Sequence, residues 1–257
     1  MSILLIAAKI TVMPMLVYGI SWAQQRWGRV IAGLLGGLPL MAAPISLFLA
    51  IEQGLPFARE AAFFSLLGVM LLSAYIFTYV ISARYLRWWG ALPLSWSVWL
   101  LVAIQVTGSD VAHVWMVVVG FLAWVTNIVF IHSFPYTATP PMKPPRFDLV
   151  LRAGTAMVMI LTVTGFAHIL GETWSGAFMV FPVVWSVMIP FNHAQYGRGA
   201  VIEFFRGAVI GNVSLLIFAG AVVALPSQMG IAALYVVAVA ASVVAAYGVK
   251  RLLSNWI

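Results

Sequence analysis

Apolar stretches of about twenty residues, the length that crosses a hydrocarbon core as an α-helix, recur from one end of this chain to the other. Nine are predicted, over residues 3–22, 30–52, 61–82, 88–106, 112–131, 149–170, 174–192, 202–225 and 229–249. Within them apolar and polar residues do not alternate, as 229–249 shows. The pattern is therefore that of membrane helices and not of barrel strands. The expected fold class is an all-α polytopic membrane protein.

Composition narrows the picture. The 257 residues are 64% hydrophobic and 7% charged, against about 45–50% apolar and about 25% charged in soluble domains. There is no cysteine, which excludes disulfides, thiolate catalysis and cysteine-based metal sites. The net charge of +7 comes from basic residues scattered singly between spans; a nucleic-acid surface would cluster them. The first apolar stretch has no basic leader and no small-residue cleavage site, so it reads as a span and not as a signal peptide.

The basic residues also orient the chain. Arg26, Arg29, Arg84, Arg87, Lys143, Arg146, Arg198, Arg206, Lys250 and Arg251 fall on one set of alternate connections, and the other set carries Arg59 with Glu60, Asp110 and Glu172. The positive-inside rule places the N-terminus outside and the C-terminus in the cytoplasm. Trp22, Trp27, Trp88, Trp89 and Trp174 stand at span ends, where interfacial aromatics belong.

The longest connection, 132–148, is proline-rich and follows the fifth span. Four spans precede that span and four follow it, which prompts a search for a repeat. A shift of 143 residues superposes Gly28 on Gly171, Gly33 on Gly176, Pro39 on Pro182, Phe48 on Phe191, Gly54 on Gly197, Glu60 on Glu203, Gly68 on Gly211 and Leu72 on Leu215, without a gap. It also sets Lys9 on Arg152. The expectation is one transmembrane domain with repeat 1 over 3–106, a linking helix over 112–131, a cytoplasmic loop over 132–148 and repeat 2 over 149–249. Five spans separate the starts of the two repeats, so they are inverted, as in many secondary transporters.

Pro39 and Pro182 interrupt corresponding spans, the second and the seventh. Each removes a backbone donor and clashes with the preceding turn, and in hydrocarbon the freed groups must find protein, a water-filled cavity or a ligand. Paired Gly/Pro breaks at matching places in two halves point to a transporter's binding site. The candidate substrate residues are Gly36, Gly37, Pro39 and Pro182, joined by Ser73 and Asn212 at similar depth. The competing interpretation is structural: Gly33 and Gly37 fit a small-residue packing face, and Ser73 and Asn212 fit interhelical hydrogen bonds.

Six residues are candidates for coupling or gating. Lys9 with Glu60, and Arg152 with Glu203, are expected as two symmetry-related ion pairs, either pinning the first helix of each half to the third or opening and closing as gates. His193, after Pro190 and Asn192, is the candidate proton carrier, since imidazole titrates near neutral pH. Glu52 is a further coupling candidate.

No catalytic residue, metal site or cofactor is assigned. There is no H-E-x-x-H, and Asp110-x-x-His113 sits where an aspartate caps a helix. There is also no G-x-x-x-x-G-K-[ST] for nucleotide. The expected function is a small secondary transporter or exporter of the bacterial cytoplasmic membrane, carrying a small solute near the midplane between the second and seventh spans. Helix N-termini at the breaks favour a small organic anion, with a lipid-like or amphipathic solute as the competing cargo; the energy comes from an ion gradient, of protons or sodium, from a concentration gradient or from a partner. The bilayer is the expected surrounding, a homodimer is compatible with so small a transporter, and no nucleic acid is involved. The alternatives are a membrane-embedded enzyme acting on a lipid or isoprenoid, and a non-transporting partner subunit.

Overall fold

A computed structural model describes residues 3–40, 42–107, 113–135, 144–170 and 181–253. Gly171, Glu172, Trp174 and Gly176, the middle of the proline-rich connection and Asp110 lie outside the described residues, as do the side chains of Lys9, Glu52 and His168. The described residues are helical throughout, with no strand among them: α1 (Ile3–Trp27), α2 (Arg29–Gly37), α3 (Ala42–Glu52), α4 (Leu55–Ser82), α5 (Trp88–Thr107), α6 (His113–His132), α7 (Asp148–Leu170), α8 (Val183–Ala224) and α9 (Ile231–Leu252). A short 3₁₀ turn, Ser227–Met229, precedes α9.

Six segments are long and apolar enough to cross a membrane: Arg29–Ile51, Leu55–Ser82, Trp88–Val106, Val114–His132, Val183–Ala224 and Ile231–Leu252. Their outward residues stay apolar, with Val129 65% and Val244 69% exposed, while Asn127 and Asn192 are buried. That is the inverse of a water-soluble domain and is what a membrane-embedded protein requires, because lipid takes apolar side chains and polar groups must find partners inside the bundle.

The second predicted span is broken where its prolines fall. Leu38, directly before Pro39, is extended (φ −66°, ψ 154°), as steric conflict with the following ring demands. α2 ends there. α3 then starts with Pro44 in its first turn, where a missing N–H is tolerated. Pro39 therefore separates two short helices and does not kink a continuous one.

α8 has 42 residues, about 63 Å of helix at 1.5 Å per residue and twice the roughly 30 Å of a hydrocarbon core. Gly197 (φ 76°, ψ −171°) divides it. The Trp185 and Phe205 rings on either side of that glycine come within 5.7 Å, whereas on a straight helix they would be about 30 Å apart. α8 is therefore a hairpin of two arms, 183–196 and 198–224. The conformation at Gly197 is closed to residues with a Cβ. Gly54, which separates α3 from α4, has nearly the same one (φ 88°, ψ 161°).

Helix limits recur along the chain. α1 starts and stops close to 143 residues before α7, α4 lies that far before the second arm of α8, and α5 that far before α9. α1 packs on α7, and α4 on α8.

The closest packing is between α2 and the second arm of α8. A Cβ on Gly33 would strike the Phe204 carbonyl, one on Gly37 the Ala208 carbonyl, one on Gly207 the Val30 carbonyl and one on Gly211 the Leu34 carbonyl. Glycines spaced four apart on both helices let the backbones touch, which is how membrane helices gain contact when lipid is as apolar as their side chains. Two apolar clusters fill the remainder. One is built around Tyr75, Tyr79, Val187, Ile189, Phe204 and Phe205. The other joins α3, α4, the end of α8 and α9 through Ala50, Ala58, Leu66, Phe218 and Leu234.

Candidate functional site

The two breaks meet. Pro39 and Pro182 line one cavity of about 100 Å³, together with Gly36, Gly37, Leu38, Leu72, Trp185 and Asn212. Five of the six predicted substrate residues are thus brought together from α2, the break at 38–40 and the two arms of α8, although more than 140 positions separate Pro39 from Pro182. Gly37 has a second duty at the α2–α8 contact. Gly36 faces the cavity side, where a Cβ would meet the side chains of Phe204 at 3.2 Å, Val184 at 3.5 Å and Trp185 at 3.6 Å.

The backbone groups freed by the breaks divide into answered and unanswered. At the C-terminus of α2, the Leu35 carbonyl accepts from the Leu38 N–H at 3.2 Å. The Gly36 carbonyl accepts from Trp185 Nε1 at 3.0 Å, whereas the Gly37 carbonyl has only a 3.5 Å contact to Ser214 Oγ, whose hydroxyl donates to the Gly211 carbonyl. The N-terminus of α8 is different. It has no side-chain cap. Val183 N–H turns back to the Phe181 carbonyl and Ser186 N–H reaches the Pro182 carbonyl, both at 2.8 Å, but the N–H groups of Val184 and Trp185 find no acceptor among the described residues. Asn212 is 1% exposed, and its Nδ2 is likewise buried without an acceptor.

A second polar site lies toward the Gly197 end, between α1, α7 and the first arm of α8. Arg152 is fully buried, with Asp148 3% and Asn192 0% exposed. Arg152 Nε donates to Asp148 Oδ2 at 2.9 Å. Nη1 and Nη2 donate to Asn192 Oδ1 at 3.2 and 3.3 Å, and Nη2 also reaches Gln195 Oε1 at 3.4 Å. Gln195 Nε2 donates to the other Asp148 oxygen. Asn192 and Gln24 form a reciprocal amide pair at 2.7 and 3.0 Å. The guanidinium carbon stands 5.1 Å over the Phe191 ring. A buried guanidinium is tolerated only when its donors are satisfied in this way.

No family model, curated protein or solved structure matches the chain. The site has to be judged on its own geometry.

The expected pairing of Arg152 with Glu203 is corrected. Arg152 pairs with Asp148, one helical turn before it in α7. Glu203 pairs with Arg29 at 3.0 Å, and the Arg29 guanidinium stacks 4.2 Å over Tyr196. The reason is the glycine-mediated contact: with α2 pressed onto the second arm of α8, the first residue of α2 arrives beside Glu203. Ser73 is also displaced from the expected site. Its Oγ donates to the Val69 carbonyl at 2.7 Å and accepts from Asn127 Nδ2 at 2.8 Å, which ties α4 to α6 away from the cavity wall.

His193 is half-buried beside Tyr79, with Nδ1 3.4 Å from the phenol oxygen. Glu60 is exposed in the second turn of α4. Lys9 and Glu52 are helical, and their side chains lie outside the described set, so the expected Lys9–Glu60 pair does too.

Sequence reasoning missed Trp185, Gln24, Gln195 and the role of Asp148. For Asp148 a signal existed. An acid four residues before a base at the head of an apolar helix is a standard pairing distance. Trp185 carried none, because its target is a carbonyl about 150 positions away.

Proposed function

We propose that this chain is a small secondary transporter or exporter of the bacterial cytoplasmic membrane, with its substrate site in the cavity between the two helix breaks. One observation carries the reading: Pro39 and Pro182, matched by position in the sequence, line the same cavity. A pair of broken helices meeting at mid-depth is how transporter folds expose backbone groups to a solute without exposing them to lipid.

The inverted-repeat part of the proposal draws on the helix limits. α1 and α7, α4 and the second arm of α8, and α5 and α9 correspond at one constant shift. Gly54 and Gly197 share an uncommon conformation at matched positions. The pairing of α1 with α7 and of α4 with α8 is what a two-fold axis through the bundle would give, since elements next to such an axis pack on their own counterparts. The nine-span topology counts the six apolar segments, a second crossing for the hairpin of α8, and α1 and α7. The N-terminus is then outside.

In that arrangement the Arg152 cluster and the aromatic cluster of Tyr75, Tyr79, Phe204 and Phe205 occupy the cytoplasmic half. They act as the seal that alternating access must open, and Arg152, Glu203 and His193 belong to that seal. Lys9, Glu52 and Glu60 are proposed for its counterpart on the outer side.

The test is transport by purified protein in liposomes against a panel of small solutes, with and without a proton gradient. The expected result is saturable flux that Pro39→Ala and Pro182→Ala each lower at least several-fold while the protein still folds. Flux unaffected by both substitutions would place the route elsewhere, and no flux for any solute in folded protein would end the transporter reading.

A further inference from the structure

The unanswered groups around the cavity are mostly donors. On the acceptor side, the carbonyls of Leu35 and Gly36 at the end of α2 already receive a backbone N–H and the Trp185 indole, while the Gly37 carbonyl has a long contact to Ser214, whose hydroxyl donates to the Gly211 carbonyl. On the donor side, Val184 N–H, Trp185 N–H and Asn212 Nδ2 are unmet. The lining contains no Asp, Glu, Lys or Arg. α3 adds little hydrogen bonding, because Ala43 N–H is taken by the Pro39 carbonyl at 2.9 Å and Pro44 has no N–H. A buried helix end without partners calls for a ligand, and buried donors left unmade each carry a desolvation cost that a bound acceptor removes.

We propose that the cavity binds a small monovalent anion presenting acceptor oxygens, such as a short-chain carboxylate or a nitrate-sized ion. The anion sits at the α8 N-terminus, held by the Val184 and Trp185 N–H groups and by the Asn212 amide. The partial positive charge of the helix end supplies the long-range attraction, and Asn212 supplies a directed contact from the opposite arm. No lysine or arginine takes part, so the site neutralises only part of a unit charge. That favours one negative charge over two. Size sets the other limit. A cavity of about 100 Å³ is smaller than the roughly 150 Å³ cavity that holds a benzene, which favours formate, acetate and nitrate over benzoate.

The assignment of ligand class rests on the transporter reading only for its flux arm, and the experiment separates the two. Binding is measured by calorimetry on the purified chain in detergent with formate, acetate, nitrate, benzoate, methylammonium and glycerol, and flux is measured for the same solutes in liposomes. The expected result is binding and flux for the first three alone. Asn212→Leu lowers affinity about tenfold, the share of one hydrogen bond to a charged group, with little change in melting temperature. Asn212→Asp, which keeps the side-chain size, abolishes anion binding by placing a like charge at the same contact. Methylammonium or glycerol carried by the Pro39- and Pro182-sensitive route, without competition from the three anions, overturns the ligand class and leaves the transporter reading standing. Anion binding that responds to residue 212, with no solute crossing the membrane, sustains the ligand class and removes the transporter reading. Anion binding indifferent to both Asn212 variants places the anion elsewhere and overturns the assignment.

Discussion

The Arg152 cluster and the cavity at the helix breaks lie along the same helix, the first arm of α8, and both bury polar groups inside an apolar bundle. They differ in completion. Around Arg152, an ion pair and three side-chain amides close on one another until the guanidinium is entirely buried. Around Asn212, an amide and two backbone N–H groups remain without acceptors. The first arrangement holds α1, α7 and α8 together. The second leaves donors pointing at a space, which is the condition for binding something that is not part of the chain. Hydrogen-bond completion separates these two roles where burial alone does not.

Breaking the completed site has the largest expected effect on stability. Arg152→Met leaves Asp148 buried without its cation, a loss of about 3–5 kcal/mol, seen as a steep fall in melting temperature in detergent. Adding Asp148→Leu to it recovers most of that loss, because an apolar pair of similar volume needs no partner. A double variant as unstable as the single one would show that the ion pair is not the source.

The glycine contact comes next. Gly207→Val puts a side chain against the Val30 carbonyl and forces α2 off α8 at a cost of about 1–3 kcal/mol or more. The Trp185–Gly36 bond depends on the same approach, so near-ultraviolet dichroism of the indoles changes with the stability. Normal stability here would mean that α2 is not held against α8 as described. Ser73→Ala removes one interhelical bond to Asn127, about 1 kcal/mol, and leaves transport untouched. A selective loss of transport in a stable Ser73→Ala protein would return that residue to the site.

The smallest stability change sharpens the comparison most. Asn212→Leu shifts unfolding by no more than about 1 kcal/mol, since the donor it removes is already unmet, yet it lowers anion affinity. Opposite responses at Arg152 and Asn212, one in melting temperature and one in binding, are the signature of a seal closed by the protein's own groups beside a site that holds a solute.

Much of this was legible in the chain. Apolar runs of membrane length and the prolines and glycines that interrupt the second and seventh spans are local properties. They depend on proline's missing N–H, on glycine's freedom and on the cost of apolar surface in water, none of which needs a neighbour. The pairing of Pro39 with Pro182 was legible too, because a constant shift along the sequence needs no coordinates.

The rest was decided by contact. Asp148 stands one turn before Arg152 in the same helix, but only the packing of α7 against α8 brought Asn192 and Gln195 to the guanidinium. Glu203 went to Arg29 because four glycines let α2 and α8 touch backbone to backbone. Ser73 and Asn212 looked equivalent as small polar residues at one depth. The tertiary structure turned Ser73 toward Asn127 and set Asn212 on the cavity wall, and that rotation about two helix axes makes one a rivet between helices and leaves the other facing a cavity. Helix formation is set by residues within one or two turns of each other. The partner of a buried polar atom is set by whichever helix lies across the interface, and that is a property of the whole bundle.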